Sequence, residues 1–389
     1  MKIVYFTTAQ DEKDYRSFIN IWKIPLNASN QNFHNKLIRS LAIENKVEVI
    51  SVRPFSNSKT RVLSLKKETK SDGNITWHYI SRWGGKIYRT LTINPQVKRI
   101  LKGMDLSEAV FLTDTINTSV VNCSTKMAKV FKRPLVGICT DSPSNISGTN
   151  RSYTLHLLKA AESYNGVLAL TDGLKDLFNP TNKPSYVFEG LVEDRKYEKY
   201  GENKKPYFFF GGALMERYGV YSLISAFNKL NRDDVELYIC GHHGNKEKIK
   251  EAIGGNQNIK FLGLLPVNKV MEYEFNSLAC INPRPFSEDL DRFSIPSKTL
   301  EYMSMGRPVI SVKNTILKEK FPEDVIWIES SKDKDILSGL KQVLDMTEVE
   351  RGNMGEKTKN RVLKLYSLES ISKNVNPFLL KFINKDVVD

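Results

Sequence analysis

Two successive series of short apolar runs, alternating with helix-length stretches, restrict the folds open to this chain more than any single motif does. In the first series KIVYFT (2–7) leads to FHNKLIRSLAIEN (33–45) and KVEVISV (46–52). The rhythm returns with AVFLTD (109–114), SVVNCSTKMAKVF (119–131), PLVGICTD (134–141), a helix around 151–163 and GVLALTD (166–172). Strands and helices in this alternation build a parallel sheet with helices on both faces, because each parallel crossover needs a connection about as long as a helix. The second series opens after the charged run EDRKYEKYGENKKP (193–206) with YFFFGG (207–212) and YSLISAFNKL (221–230). VELYICG (235–241), NIKFLG (258–263), LACINP (278–283), PVISV (308–312) and VIWIES (325–330) continue it, and the stretch from 350 to 389 reads as helical.

A length of 389 residues accommodates two such domains. We therefore expect an α/β protein of two doubly wound, Rossmann-like domains facing a cleft. An N-terminal domain spans 1–190, a linker 191–206 and a C-terminal domain 207–365, and a helix at 366–389 packs back on the first domain. Open α/β sheets bind ligands outside the carboxyl ends of their strands, so the site is expected in that cleft.

Several classes drop out. The longest strongly apolar stretches, such as YFFFGGALM (207–215), are about half of the roughly 20 residues a bilayer-spanning helix needs. MKIVYFTT at the start reads as a first buried strand rather than a signal peptide. The four cysteines (Cys123, Cys139, Cys240, Cys280) are far apart, which suggests neither a disulfide framework nor a zinc site and points to reducing cytosol. His242 and His243 have no carboxylate or Cys at ligand spacing, so no metal site is expected. No G-x-G-x-x-G follows any strand, which argues against a dinucleotide oxidoreductase.

The net charge of +14 is concentrated. Between Arg53 and Lys102, twelve Lys and Arg stand against Glu68 and Asp72, a surplus of ten, with Trp77, Tyr79, Trp83, Ile87 and Tyr88 interleaved. Such a run suits phospholipid headgroups or a pyrophosphate-bearing substrate, or it is a solvated surface. Nucleic acid is not expected, since no helix-turn-helix, zinc-finger or RNA-recognition signature accompanies the charge.

The most informative segment is NPRPFSEDLDRFSIPSKTLEYMSMGRPVISV (282–312). A strand ends at Asn282–Pro283, a polar loop follows, and a helix begins near Pro296 or Ser297, where proline is tolerated because first-turn N–H groups have no acceptor within the helix. Those N–H groups and the positive end of the helix dipole suit phosphate oxygens. Ser297 adds a hydroxyl and Lys298 a mobile charge, while Glu301, one turn deeper on nearly the same face, can accept two hydrogen bonds from a ribose diol. Gly306 ends the helix before Pro308 starts the next strand.

The string PSKTLEYMSMGRPVI resembles the donor-site segment of GT-B fold glycosyltransferases, especially the retaining group called glycosyltransferase family four. FFFGGALMERYGVYSLISAF (208–227), the strand ending at Gly241, FLGLL (261–265) and INP (281–283) fall in that family's order, so the likeness covers about 207–312 and is weak before 190. It implies a nucleotide-diphosphate sugar bound mainly by the second domain, through Gly212, Gly241, Arg284, Ser297, Thr299 and Glu301, and an acceptor bound mainly by the first. No cofactor and no metal are expected. Many similar bacterial proteins build capsular or exopolysaccharide repeats on a polyprenyl-diphosphate-linked or oligosaccharide acceptor at the cytoplasmic membrane face. The chain is accordingly expected to be cytoplasmic and peripheral at that face, held to anionic lipid through residues 53–102. Glu301 matches the second glutamate of the family's pair, whereas Phe293 stands where the first would fall, with Glu288, Asp289 and Asp291 nearby. Ala213 and Tyr218 occupy the places of the family's diphosphate-binding Arg and Lys, leaving Arg217, Arg284 and Lys298 as the cations at hand, with Arg217 and Lys298 the catalytic candidates. In the first domain Asn30, His34 and Asp141 lie at strand ends or in the helix that follows and are the acceptor-side candidates, Asp141 being equally suited to a plain turn. The alternative is a catalytically inactive protein of the same fold that serves a polysaccharide-assembly complex.

Overall fold

The computed structural model describes residues 1–22, 28–54, 64–83, 86–146, 149–195, 205–242 and 244–383. The chain divides into two compact units. The first comprises Met1–Leu191, Arg292–Ser294 and the stretch from Leu368; the second comprises Val192–Asp291 and Ile295–Ser367.

In the first unit the strands are β1 (Lys2–Thr7), β2 (Lys46–Ser51), β3 (Ser64–Leu65), β4 (Glu68–Asp72), β5 (Ile75–Tyr79), β6 (Arg82–Trp83), β7 (Ala109–Asp114), β8 (Leu135–Cys139), β9 (Gly166–Ala169) and β10 (Ser185–Val187). Eight of them form one sheet in the order β10-β9-β8-β7-β1-β2-β5-β4, while β3 and β6 pair separately. All pairings in the large sheet are parallel except β4 with β5. The central strands are mostly apolar because helices cover both faces: every residue of AVFLTD in β7 is buried, Thr113 and Asp114 included. The helix Leu368–Leu380 belongs to this unit, as expected. Ser40 donates to the Leu368 carbonyl at 2.6 Å, and Asn45 donates to the Asn376 side chain at 2.8 Å.

Two elements here were not legible in the sequence. A helix at Glu12–Trp22 precedes the expected one, which itself runs over Ala28–Leu41 rather than 33–45. The basic run also holds the hairpin of β4 and β5, which extends the sheet. That hairpin corrects the picture of an interleaved basic and aromatic surface. With a strand's two-residue period, Trp77 and Tyr79 share the inner face of β5, stacked at a centroid separation of 6.1 Å and both buried. Arg82 is buried too, donating to the Arg53 carbonyl, and the Arg53 guanidinium lies 4.8 Å from the Tyr79 ring centroid. Lys70 pairs with Asp14 and Glu68. The exposed cations that remain are Lys66 and Lys67 beside the hairpin and Lys98, Arg99 and Lys102 at the end of the helix Lys86–Lys102. Lys59 and Arg61 lie outside the described residues, as do the side chains of Trp83, Lys86, Ile87, Tyr88 and Arg89.

In the second unit β11 (Tyr207–Ala213), β12 (Glu236–His242), β13 (Ile259–Gly263), β14 (Ala279–Asn282), β15 (Val309–Val312) and β16 (Ile326–Ile328) form an all-parallel sheet in the order β13-β12-β11-β14-β15-β16. Phe208, Phe210, Leu237, Ile281 and Ile310 join Leu223, Phe227, Ile336 and Leu340 from the helices in one core. The chain leaves β11 toward β12 and β13, then returns on the other side as β14. The strand order therefore reverses between β11 and β14.

Trp77→Ala is expected to lower unfolding stability by about 3–5 kcal/mol, as for a buried aromatic truncated in a core. Lys67→Ala, on the exposed side of the same segment, is expected to stay within about 0.5 kcal/mol of the parent. Urea denaturation followed by circular dichroism separates the two; equal effects would place Trp77 on the surface.

Candidate functional site

The reversal point of the second unit is built from backbone first. Strand β11 pairs with β12 along its full length to Ala213–His242, but with β14 only at Phe208–Ala279 and Phe209–Cys280. Beyond that pair the two strands no longer bond to each other, and the Tyr302 hydroxyl takes up the place. It accepts from the Gly211 N–H at 3.0 Å and donates to the Gly211 carbonyl at 3.1 Å. Burial, first, and then the nearby Glu274 charge push the Tyr302 phenol well above its ordinary pKa, so it remains a donor. Two glycines permit the tight approach around this point. Gly241 has φ +150°, and a Cβ there would lie 1.7 Å from the Gly212 carbonyl; Gly219 has φ +77°, and a Cβ there would lie 2.1 Å from the Pro283 carbonyl.

The helix Ser297–Met303 follows Pro296 and starts without a side-chain cap. Ser297 is exposed on its first turn. Lys298 is held between two carboxylates, 3.3 Å from Glu274 and 3.0 Å from Glu301, of which Glu274 is wholly buried. Burial works against the ammonium charge, but Glu274 and Glu301 outweigh it and raise the pKa well above that of an ordinary lysine. The charge thus persists through the neutral range, and the stabilisation it confers is lost only as the pH climbs through that raised pKa. Thr299 departs from its expected donor-binding role. It is buried, its hydroxyl accepts from Asn282 Nδ2 at 2.8 Å and lies 3.2 Å from the Ser311 hydroxyl, and so it ties the helix to the ends of β14 and β15.

Arg217, in the turn Glu216–Tyr218, and Arg284, just after β14, share one aromatic ring. Their guanidinium carbons lie 5.2 Å and 5.7 Å from the Tyr218 centroid. Tyr218 stands where the family carries a lysine, and here it supports two cations instead of supplying one. Neither arginine forms an ion pair among the described residues.

The polar loop at 284–296 contains a helical turn, Glu288–Phe293, that the sequence did not suggest. Phe293 packs against the hydrophobic core of the first unit, with the Arg292 guanidinium over its ring, and so the position expected for a sugar-binding glutamate is given to packing. Asp291 is no substitute: its two oxygens accept from the Asn314 side chain and, at 2.9 Å, from the Thr315 N–H. Asp289 and Asp291 have the Asp-x-Asp spacing of metal-dependent transferases, and Asp291 accepts the two bonds just described. No cluster of His, Cys, Asp or Glu fit for a metal occurs among the described residues. The His242 side chain and His243 lie outside them.

In the first unit His34 does not open toward a ligand as expected. It is wholly buried, with Nδ1 2.6 Å from the Tyr5 hydroxyl and Nε2 3.5 Å from Asp114. Asn30 is half-buried and bonded to Thr8 and Asp114. Asp141 is half-buried, and its Oδ1 accepts from the Ser142 N–H at 2.8 Å. Nothing in MEYEFN separates Glu274 from helix surface, and PSKTLEYM contains Tyr302 without marking its role; the place of Asp114 at a strand end is the signal that points to it.

Two parallel-sheet units, the second with its strand order reversing between β11 and β14, have the architecture of the GT-B class. Solved structures share it over nearly the whole chain. The sucrose-phosphate synthase from Thermosynechococcus elongatus superposes with a TM-score of 0.66 at 10% identity, covering 98% of each chain. The α,α-trehalose 6-phosphate synthase from Burkholderia multivorans gives 0.65 at 12% identity, covering 98% of this chain and 96% of the other. Anabaena Alr3699/HepE, solved in complex with UDP and glucose, gives 0.66 at 13% identity over 98% and 100%. No curated protein matches the sequence. The family model described as glycosyl transferases group 1 matches residues 192–361.

Tyr302→Phe is expected to leave the Gly211 N–H and carbonyl without their phenol partner and to cost about 1–3 kcal/mol. Urea denaturation checks it, and a loss within error of zero would mean that the hydroxyl does not hold the strands at this point.

Proposed function

We propose that this chain is a retaining glycosyltransferase, moving a sugar from a nucleotide-diphosphate donor to a lipid-linked or saccharide acceptor in bacterial surface polysaccharide synthesis. One observation carries the reading: within a group 1 domain, the parted ends of β11 and β14 hold Arg217 and Arg284 on one ring and lead through Asn282 and Thr299 to Lys298 and Glu301. In the reaction the bond from the sugar's anomeric carbon to the diphosphate breaks, a bond to the acceptor oxygen forms on the same face, and the acceptor proton passes to the departing phosphate. No protein base is required. Negative charge grows on the phosphate oxygens, and fixed cations stabilise it without reorganising. Arg217 and Arg284, unencumbered by carboxylates, suit that role better than Lys298, whose charge is already met on two sides. Lys298 and Ser297 would meet the phosphate from the helix, and Glu301 would accept from the ribose hydroxyls. The reaction so written needs neither cofactor nor metal. Complexes of UDP with Anabaena Alr3699/HepE support a uridine donor.

No described helix is long and apolar enough to cross a membrane. We assign the chain to the cytoplasmic face, with Lys66, Lys67, Lys98, Arg99 and Lys102 meeting anionic lipid, each contributing about 1 kcal/mol near such a surface. The packing of Phe293 in a core, in place of a carboxylate, favours one alternative, an inactive binding protein of a polysaccharide-assembly complex.

A thermal-shift screen of uridine and guanosine diphosphates and their sugars tests the donor site. Selective stabilisation is expected, lost in Lys298→Ala and in Glu301→Ala, and an unchanged melting temperature with every compound would end the proposal. Arg217→Ala and Arg284→Ala are each expected to lower the turnover of the stabilising nucleotide sugar about 10²–10³-fold. Binding without any hydrolysis or transfer would select the inactive alternative.

A further inference from the structure

The first sheet has a reversal point of its own. The chain leaves β1 toward β2 and returns on the other side of β1 as β7. The side chains gathered at the carboxyl ends of that pair are polar and almost all buried, in the place where open α/β sheets take ligands. Asp114, the last residue of β7, is 1% exposed. Its Oδ1 accepts from the Ile116 N–H at 3.0 Å, and its Oδ2 accepts from the Asn30 side-chain amide at 3.2 Å while lying 3.5 Å from His34 Nε2. Behind the imidazole the Tyr5 hydroxyl sits 2.6 Å from Nδ1. Burial pulls the His34 pKa down against the opposing pull of Asp114, so the ring is neutral. A phenol donating to Nδ1 then sets the tautomer, with the proton on Nε2, which lies 3.5 Å from the Asp114 carboxylate and forms no hydrogen bond.

Asn30 is the member of this set that reaches the surface. A carboxamide has two N–H donors and two carbonyl lone pairs. Asp114 takes one donor, and the Thr8 hydroxyl, donating at 3.2 Å, takes one lone pair. One N–H and one lone pair are left over, on a carboxamide held by those two bonds. That pairing complements two adjacent hydroxyls, one donating and one accepting, and it does not complement an anion, which lacks the donor.

We propose that Asn30 binds the acceptor through a vicinal pair of sugar hydroxyls, with Asp114, His34 and Tyr5 acting as positioning residues that hold its carboxamide in one orientation. The proposal rests on the sugar-transfer reading and names the class of acceptor group: the neutral diol of a saccharide, not a phosphate.

The test uses the full chain and methyl α-glycosides of glucose, galactose and mannose as probes, with nuclear magnetic resonance of the Asn30 side-chain amide and the His34 ring nitrogens. At least one glycoside is expected to shift both sets of signals in a saturable way. Its affinity is expected to fall about tenfold or more in Asn30→Ala, Asp114→Asn and Tyr5→Phe. Tyr5→Phe should also move the His34 nitrogens toward a tautomer mixture. Affinity for UDP, measured on the same samples, is expected to stay at the parent value in all three. The proposal is overturned if no glycoside perturbs Asn30, or if the variants lose melting temperature yet bind the glycoside as the parent does. Because Asn30 is half-buried, its alanine variant gives a reading even if the Asp114 variant fails to fold. A chain that bound glycoside but not UDP would uphold the role of Asn30 and defeat the donor site, so the two failures are distinguishable.

Discussion

The candidate donor site depends on where two neighbouring strands stop bonding to each other. Parallel strands that stay paired to their ends leave no room between them. Here β11 and β14 share only two register positions, and the Gly211 backbone groups left over would be unsatisfied in a buried sheet without the Tyr302 hydroxyl, which meets both. The phenol comes from the same short helix that carries Lys298 and Glu301. The contact that repairs the sheet thus also fixes the helix that carries Lys298 and Glu301, and Thr299 with Asn282 adds a second tie.

Charge around this helix is arranged with similar economy. A wholly buried glutamate is costly unless a cation faces it, and Lys298 does so for Glu274 while keeping Glu301 within reach. The two arginines are supported differently, through the face of Tyr218, which steadies their position and leaves their charge uncompensated. An anion arriving here would find two kinds of cation, one already neutralised and one open.

Much of the architecture was legible because a helix-covered parallel sheet has so marked a sequence pattern. KIVYFT, AVFLTD and YFFFGG are mostly apolar because both faces of their strands are covered, and all three are central strands. The hairpin of β4 and β5 was not legible because ETKSD is wholly exposed at a sheet edge and has the composition of a loop. The aromatic residues of the basic run were misplaced for a related reason. Composition reports that Trp77 and Arg82 are close in sequence, and only the strand period and its neighbours send their side chains inward. At the site, the Ser297 helix and Glu301 were readable from a local string, whereas Glu274 reaches Lys298 across twenty-four positions of sequence, a pairing that no local pattern encodes.

From its sequence alone, this protein had to be two helix-covered parallel sheets, and its second half had to place a proline-led helix with Lys and Glu at the end of a strand. Hydrophobic periodicity and turn chemistry are local properties and act before any distant contact forms. Tertiary structure decided which polar groups are used and which are free. It buried His34 and Thr299, packed Phe293 against a core, set Arg217 and Arg284 on Tyr218, and left Asn30 as the half-buried end of a buried network. Those outcomes depend on which segments meet once the sheets have formed, and side-chain burial and pairing energies exist only between residues that the fold has brought together.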